Sequence, residues 1–370
     1  MKTLFSPPTK LKNPMDSSSM KTFLPNLAFF SLVFGAAVVY LFVSSSPSSS
    51  ANLLLAIQQH RISSSESYNV MKFPIDELEL SLRKASMHNK NKTVIIVILN
   101  KAYAEPTVKS ETTMLDLFLE SFWVGEDTIP LLDNLLLVAT DQTAYDRCMF
   151  KRLNCYKMET DGVDFGGEKI FMSKDFIKMM WRRTLLLLDV LNHGYSFIFT
   201  DADVMWLRNP FPRLSKNESI DLEISTDWFN GDPLSQKNMI NTGFYYVKSN
   251  NKTIALFEDW YSRKDSDIGR GKKEQDVLLD LMREGTFERL GINARFLDTV
   301  YFSGFCTDSK NVSAVTTVHA NCCRSISAKV RDLRAVLRDW MRLSSQAAAN
   351  HTFQWTGHFG CWNSWNTSSV

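Results

Sequence analysis

The sequence predicts an α/β fold built on an open, mixed but mainly parallel sheet with helices on both faces. Three observations carry this. The runs TVIIVIL (residues 93–99) and NLLLVAT (residues 134–140) are continuously apolar, as strands buried on both faces require. Stretches with apolar residues at helical spacing separate the strands, which points to successive β-α-β units. Finally, YSFIFTDADVMWLRNP (residues 195–210) begins as another buried strand and breaks into two carboxylates, Asp201 and Asp203. In such sheets ligands sit at the carboxyl ends of the strands, so acids placed there are placed to meet something.

Taken in order, residues 114–123 carry Leu115, Phe118, Leu119 and Phe122 on one helical face, with Gly125 closing the helix. Asp141 caps a short helix reaching about Leu153, and residues 155–158 form a third strand. Ser173 caps a long helix over 174–192, which His193-Gly194 terminates. Beyond Pro212 the pattern predicts a strand over 243–247, helices over 253–264 and 273–284, and a short strand over 294–297. A terminal amphipathic helix covers 325–344, with Val330, Leu333, Val336, Leu337, Trp340 and Met341 inward.

The chain begins with Lys2, Lys10, Lys12 and Lys21 against one acid, Asp16, and residues 24–43 are then predominantly apolar. That length suits a bilayer-crossing helix, and the flanking lysines place the N-terminus in the cytosol. The expected plan is a cytosolic tail (1–22), a transmembrane signal anchor (23–43), a Ser-rich lumenal stem (44–90), a catalytic domain (91–345) and an aromatic C-terminal tail (346–370). Within the stem, residues 52–59 and 75–82 have helical propensity. Sequons at Asn91, Asn217, Asn251, Asn311, Asn350 and Asn366 all follow the anchor, as glycan acceptors in a lumenal domain should. So do all six cysteines, an even number that suggests disulfides. Cys148 suits Cys155, and Cys306 suits either Cys322 or Cys323; no Cys-x-x-Cys spacing supports zinc. A net charge of +2 gives no electrostatic footprint for nucleic acid.

Two acids this close repel each other, and a cation relieves the repulsion. Hard oxygen ligands suit Mn²⁺ or Mg²⁺, which share their shell with a substrate's phosphates. A turn cap would also explain Asp-x-Asp alone. However, the motifs MMWRR, FTDADVMWLRNPF, NTGFYYVKSNN, EQDVL, RFLDTVYFSGFC and VHANCC occur in this order along residues 91–341. Together they resemble the plant nucleotide-diphospho-sugar transferases of glycosyltransferase family 77. The resemblance implies a GT-A (Rossmann-like) fold, a divalent ion, a UDP-sugar donor, retention of configuration and a lumenal catalytic domain in a single-pass type II Golgi membrane protein. Acceptors would be cell-wall polysaccharides or glycoproteins, with a pentose or galactose transferred, and a transferase complex is an expected partner.

The chemistry of the residues agrees, because a departing diphosphate needs its charge neutralised. Asp203 is the expected direct metal ligand, Asp201 a second ligand or a ribose contact, and His319 the third ligand. Arg183, rather than its neighbour Arg182, is expected at the donor's sugar or diphosphate. Asn241 and Gly243 open a strand beside the donor, where Gly allows close approach. The resemblance places Gln275 and Asp276 near the anomeric carbon, with Glu274 where relatives often carry His or Asp. Asn100 and Lys101 follow the first strand, where base and ribose would rest. His193 serves the helix C-terminus. Two other classes compete: a catalytically silent Golgi scaffold of a transferase complex, which has no need of the acids and His319, and a Ca²⁺-dependent sugar-binding module.

Overall fold

The computed structural model describes residues 76–87, 91–106, 111–160, 162–169, 171–267, 269–345 and 353–365. The expected anchor and the Ser-rich segments lie outside these. Among the described residues no helix is long and apolar enough to cross a membrane.

The central sheet holds β1 (Thr93–Leu99), β2 (Leu135–Ala139), β3 (Asn154–Lys157), β4 (Ser196–Thr200), β6 (Leu222–Trp228), β7 (Met239–Val247) and β8 (Ala294–Phe296), in the order β3-β2-β1-β4-β7-β6-β8. β7 runs antiparallel to both neighbours, β4 and β6, and the other pairings are parallel. The predicted mixed, mainly parallel α/β sheet is present. The chain runs outward from β1 to β2 and β3, then returns to lay β4 on the other side of β1. Two consequences follow: strand order reverses between β1 and β4, and a crevice opens at their carboxyl ends. A second sheet is formed by β5 (Val204–Trp206), β9 (Phe302–Gly304) and β10 (Thr317–His319), in the order β5-β10-β9.

The helices are α1 (Glu77–Ala85), α2 (Lys101–Ala104), α3 (Met114–Val124), α4 (Gln142–Phe150), α5 (Lys174–Asn192), α6 (Asn251–Ser262), α7 (Glu274–Arg283), α8 (Thr286–Leu290), α9 (Ile326–Ser345) and α10 (Phe359–Asn363). Alternate residues of β1 enter opposite cores. Ile95, Val97 and Leu99 pack towards α3, α9 and Trp206, while Val94 and Ile96 pack towards α5 and α6. Ser173 and Asp141 cap α5 and α4 as their side chains predict.

Several expectations need correction. β6 was not foreseen because its centre carries Glu223, Ser225 and Thr226, polar residues that nevertheless lie buried. Arg295 pairs with Glu223, and the Ser225 and Thr226 hydroxyls donate to backbone carbonyls. β7 begins at Met239, earlier than Gly243, because β6 supplies it with a partner. Met341 is exposed at 41%, although Val330, Leu333, Val336, Leu337 and Trp340 are buried as expected. α1 falls inside the stretch read as stem, yet Leu78, Leu82 and Ala85 are buried against the sheet. The C-terminal segment is likewise fixed: Asp332 accepts the N–H groups of Gly360 and Cys361, and Asp339 that of Thr356.

Disulfides join Cys148 to Cys155, Cys306 to Cys322, and Cys323 to Cys361. Asn91, Asn217, Asn251 and Asn311 are all exposed, as sugar acceptors must be.

His193 ends α5 and reaches Asp76, the N-cap of α1, with Nε2 3.0 Å from Oδ2. Burial lowers the His193 pKa, but the Asp189 carbonyl and the Asp76 carboxylate outweigh it and hold the group above 6.5. The N–H of Glu79 holds Asp76 below 3.8. The His193 share of this contact is complete below the unfolded pKa and is lost as pH rises through the raised folded value. The Asp76 share is present above its unfolded pKa and is lost as pH falls through the lowered one. Asp76 is largely exposed, so the pair contributes under ~1 kcal/mol. His193→Gln should therefore lower the thermal midpoint by about 1–3 °C at a pH between the two values. Calorimetry at mildly acidic and at alkaline pH checks this, and equal losses at both would show that the contact is packing alone.

Candidate active site

The site is assembled where the two sheets meet. β4 ends at Thr200, and the Asp201 N–H donates to the Gly243 carbonyl of β7 at 2.7 Å. The chain turns at once into β5, which pairs antiparallel with β10 so that Val204 faces His319. That pairing brings a histidine from far along the chain beside the carboxylates. His319 Nε2 lies 3.4 Å from Asp203 Oδ1 and 3.9 Å from Asp201 Oδ2. One ligand atom from each of the three residues falls within 4.8 Å of the others. Two carboxylates and an imidazole suit Mn²⁺ or Mg²⁺.

Gly243 makes the cradle. A Cβ there would overlap His319 Cε1 and stand 2.9 Å from Asp201 Oδ2. The glycine therefore serves the approach of the ligands to each other, a closer role than the expected clearance for sugar.

Around the triad the charges are matched. The Arg183 guanidinium donates from Nη1 to Asp201 Oδ1 at 2.9 Å and from Nη2 to Glu274 and to Thr242 Oγ1. Its Cζ lies 4.6 Å from the centroid of the Phe199 ring. Burial disfavours its charge, but Glu274 and Asp201 outweigh that and raise its pKa. On the other side, Lys329 Nζ of α9 sits 2.6 Å from Asp203 Oδ2. Burial alone would raise the Asp203 pKa, yet Lys329 and His319 hold it well below the usual carboxylate range. Asp201 is pushed up by burial and by the Asp203 charge, against Arg183. The Tyr103 hydroxyl, nearby, is pushed up to about 12 by burial. Arg183 Nε and Glu274 Oε2 are buried without a hydrogen-bond partner among the described residues.

A cleft of about 320 Å³ opens over these groups. Of the expected residues, Asn100, Arg183, Asp201, Asp203, Asn241, Gly243, Gln275 and His319 all line it. Asn100 is already occupied, donating to the carbonyls of Phe165 (2.7 Å) and Gly167 (3.1 Å) and capping α2. It shapes the cleft by holding that loop. Lys101 points elsewhere, into a neighbouring open groove with Glu105. Arg182 also points away, donating to the Glu159 carbonyl. Gln275 accepts from the Thr242 N–H and hydroxyl, both at 3.2 Å. Asp276 does not line the cleft: on α7 it is Glu274 and Gln275 that face it.

Sequence reasoning missed Lys329, Glu274, Tyr103 and Asp227 as cleft residues. Lys329 reads as one more cation on the polar face of α9. Asp227 lies on the unforeseen β6, where its Oδ1 accepts from Asn241 (2.8 Å) and Asn321 (2.7 Å). Glu274 carried a signal, since it precedes Gln275 and is a carboxylate at a helix start.

Gly243→Ala is expected to weaken Mn²⁺ binding by about 10–100-fold, the range for displaced supporting groups. The same change should cost about 1–3 kcal/mol of stability through overpacking. Titration calorimetry and thermal unfolding read the two effects separately; unchanged Mn²⁺ affinity would show that the cradle is not the metal's.

The nucleotide-diphospho-sugar transferase family profile matches residues 130–333. An uncharacterised Arabidopsis thaliana protein is 59% identical over 296 residues, 80% of this chain and 86% of its own length. A second uncharacterised protein from that plant is 41% identical over 279 residues, 75% of this chain and 71% of its own. An Arabidopsis thaliana β-arabinofuranosyltransferase is 27% identical over 225 residues, 60% of this chain but 38% of its own length. The profile match spans more than half the chain and contains the Asp201, Asp203 and His319 cluster at its sheet edge, and the chain belongs to the nucleotide-diphospho-sugar transferase family.

Proposed function

We propose that this protein is a metal-dependent, retaining glycosyltransferase of the Golgi membrane with a GT-A-like lumenal domain. In this reading it transfers a pentose or galactose from a UDP-sugar to a cell-wall polysaccharide or glycoprotein. The observation that carries the reading is the Asp201-Asp203-His319 cluster at the β4 edge, with Asp203 buried and the other two partly so, bracketed by Arg183 and Lys329. A sugar-binding module has no use for a buried lysine against a metal-ligating acid, and a scaffold has no use for the charge matching. The arabinofuranosyltransferase relative supports a pentose donor.

A divalent ion held by Asp201, Asp203 and His319 supplies Lewis-acid neutralisation of the departing diphosphate. Lys329 stands beside that centre as a second, covalently tethered cation for the phosphate oxygens. Arg183 holds one oxygen of Asp201 and thereby turns the other, Oδ2, towards His319. Glu274 holds Arg183 and Thr242, and Thr242 in turn fixes the Gln275 carboxamide at the cleft wall. Retention could pass through a covalent glycosyl-enzyme or through same-face attack, with the departing phosphate deprotonating the acceptor; the engagement of the cleft acids favours same-face attack. Asp201 and Asp203 face the metal position, Glu274 faces Arg183, and Asp227 faces two amides. Each is held in an interaction that a nucleophile would have to break.

The full-length chain, prepared from a eukaryotic secretory host, should release UDP from one member of a UDP-sugar panel when Mn²⁺ is present. Chelation or Asp203→Ala should abolish this release, with a loss of roughly a hundredfold or more expected for a group that stabilises the transition-state charge. Lys329→Ala should lower kcat more than it raises KM, because its charge meets the departing diphosphate. An absence of both UDP release and Mn²⁺-dependent UDP binding would sink the proposal.

A further inference from the structure

The C-terminal segment reaches the cleft. Trp365 and Arg324 both line the same cavity as Asp201, Asp203 and His319. This segment is built into the domain by Cys323–Cys361, by the Asp332 carboxylate on the Gly360 and Cys361 N–H groups, and by His358 stacked on Phe305 at 3.6 Å. Ser364 Oγ accepts the Arg324 N–H at 3.0 Å. The Trp365 indole N–H donates to the Cys322 carbonyl at 2.7 Å, and the Arg324 guanidinium lies 3.9 Å from its ring. The ring is thus fixed at its polar edge and backed by a cation, yet the residue stays 46% exposed. Two further exposed rings stand just before it on α10, Phe359 and Trp362, in edge-to-face contact at 5.2 Å.

Exposed aromatic rings grouped this way mark a surface that something covers. A locked indole offers apolar area with little entropy to lose, and a neighbouring guanidinium offers donors for hydroxyl oxygens. That pairing matches a saccharide, whose rings present C–H faces and hydroxyl edges. Its position in the donor cleft decides which saccharide. In the glycosyltransferase reading the donor takes the wall with the acid pair, Arg183 and Gln275, which leaves the exposed Trp365 side of the cavity for the acceptor.

We propose that Trp365 with Arg324 forms the acceptor subsite, stacking a sugar ring of the acceptor glycan at the mouth of the donor cleft. This rests on the glycosyltransferase reading above. Both residues are specificity-determining rather than catalytic.

The test uses the full-length chain with Mn²⁺ and UDP, applied to a printed panel of cell-wall oligosaccharides (arabinans, galactans, xylans and hydroxyproline-linked glycans). Wild type should retain at least one class of glycan. Trp365→Ala should lose about tenfold or more of that retention, as for a buried aromatic anchor, and Trp365→Phe should keep most of it. Mn²⁺-dependent UDP affinity should be unchanged in both variants. Retention unaffected by Trp365→Ala overturns the proposal, as does a panel from which wild type retains nothing. A fall in UDP affinity with Trp365→Ala also overturns it, by making the ring a nucleobase platform. Failure of wild type to bind UDP with Mn²⁺ is a separate result, which strikes the glycosyltransferase reading itself.

Discussion

Placing two carboxylates one residue apart, at the buried end of a strand, is the constraint around which this domain is organised. Charges so placed cannot remain unpaired in a low-dielectric setting without a large desolvation penalty. The chain answers with basic side chains from three distant elements: Arg183 from α5, His319 from β10 and Lys329 from α9. The two acids are made unequal. Asp203 is flanked by Lys329 and His319 and is held strongly acidic, while Asp201 is pushed up and shares Arg183 with Glu274. A metal ion entering here would therefore meet one oxygen set fully charged and a second steered by a guanidinium.

The fold supplies the geometry at modest cost in sequence. Reversal of strand order between β1 and β4 opens the crevice, and the small β5-β10-β9 sheet then delivers His319 to it. Around that sheet the packing is aromatic. Trp206 of β5 stacks on Phe122 at 4.9 Å and donates to Thr200 at 3.2 Å, so the strand after the acids is pinned as firmly as the strand before them. Arg208 completes the anchor by pairing with Glu126 and covering the Trp340 ring. The residues after Asp203 that make its motif recognisable are, physically, the clamp that keeps the ligands in register.

What the sequence disclosed follows from what leaves a local trace. Strands buried on both faces write continuous apolar runs, and α5 writes its Ser173 cap and His193-Gly194 end, so these were legible to within a residue or two. β6 was not, because its inward Glu223 is satisfied by Arg295, a partner seventy-odd positions away that no local pattern announces. The candidate metal cluster was legible because two of its members stand one residue apart and the third ends a recognisable run. Lys329 and Asp227 were not, since a lysine on a polar helix face and an acid on an unrecognised strand carry no signature until the fold brings them together. Asp276 misled for a related reason: helical neighbours point in different directions, and of the three polar residues that open α7 only Glu274 and Gln275 face the cleft.

One short stretch, from His319 to Arg324, ties the parts together. Its first residue, His319, belongs to the candidate metal cluster; Asn321 donates to Asp227 and accepts from the Cys306 N–H; Cys322 is bonded to Cys306 and receives the Trp365 indole; Arg324 lies against that same ring. The metal position and the proposed acceptor platform therefore stand on one disulfide-braced segment of backbone. A displacement at either end has little room to relax before it reaches the other, because each intermediate residue is held by its own hydrogen bond or covalent link. Acceptor alignment and metal geometry are in this sense one structural variable, which is what a transferase needs if sugar is to pass to the acceptor in preference to water.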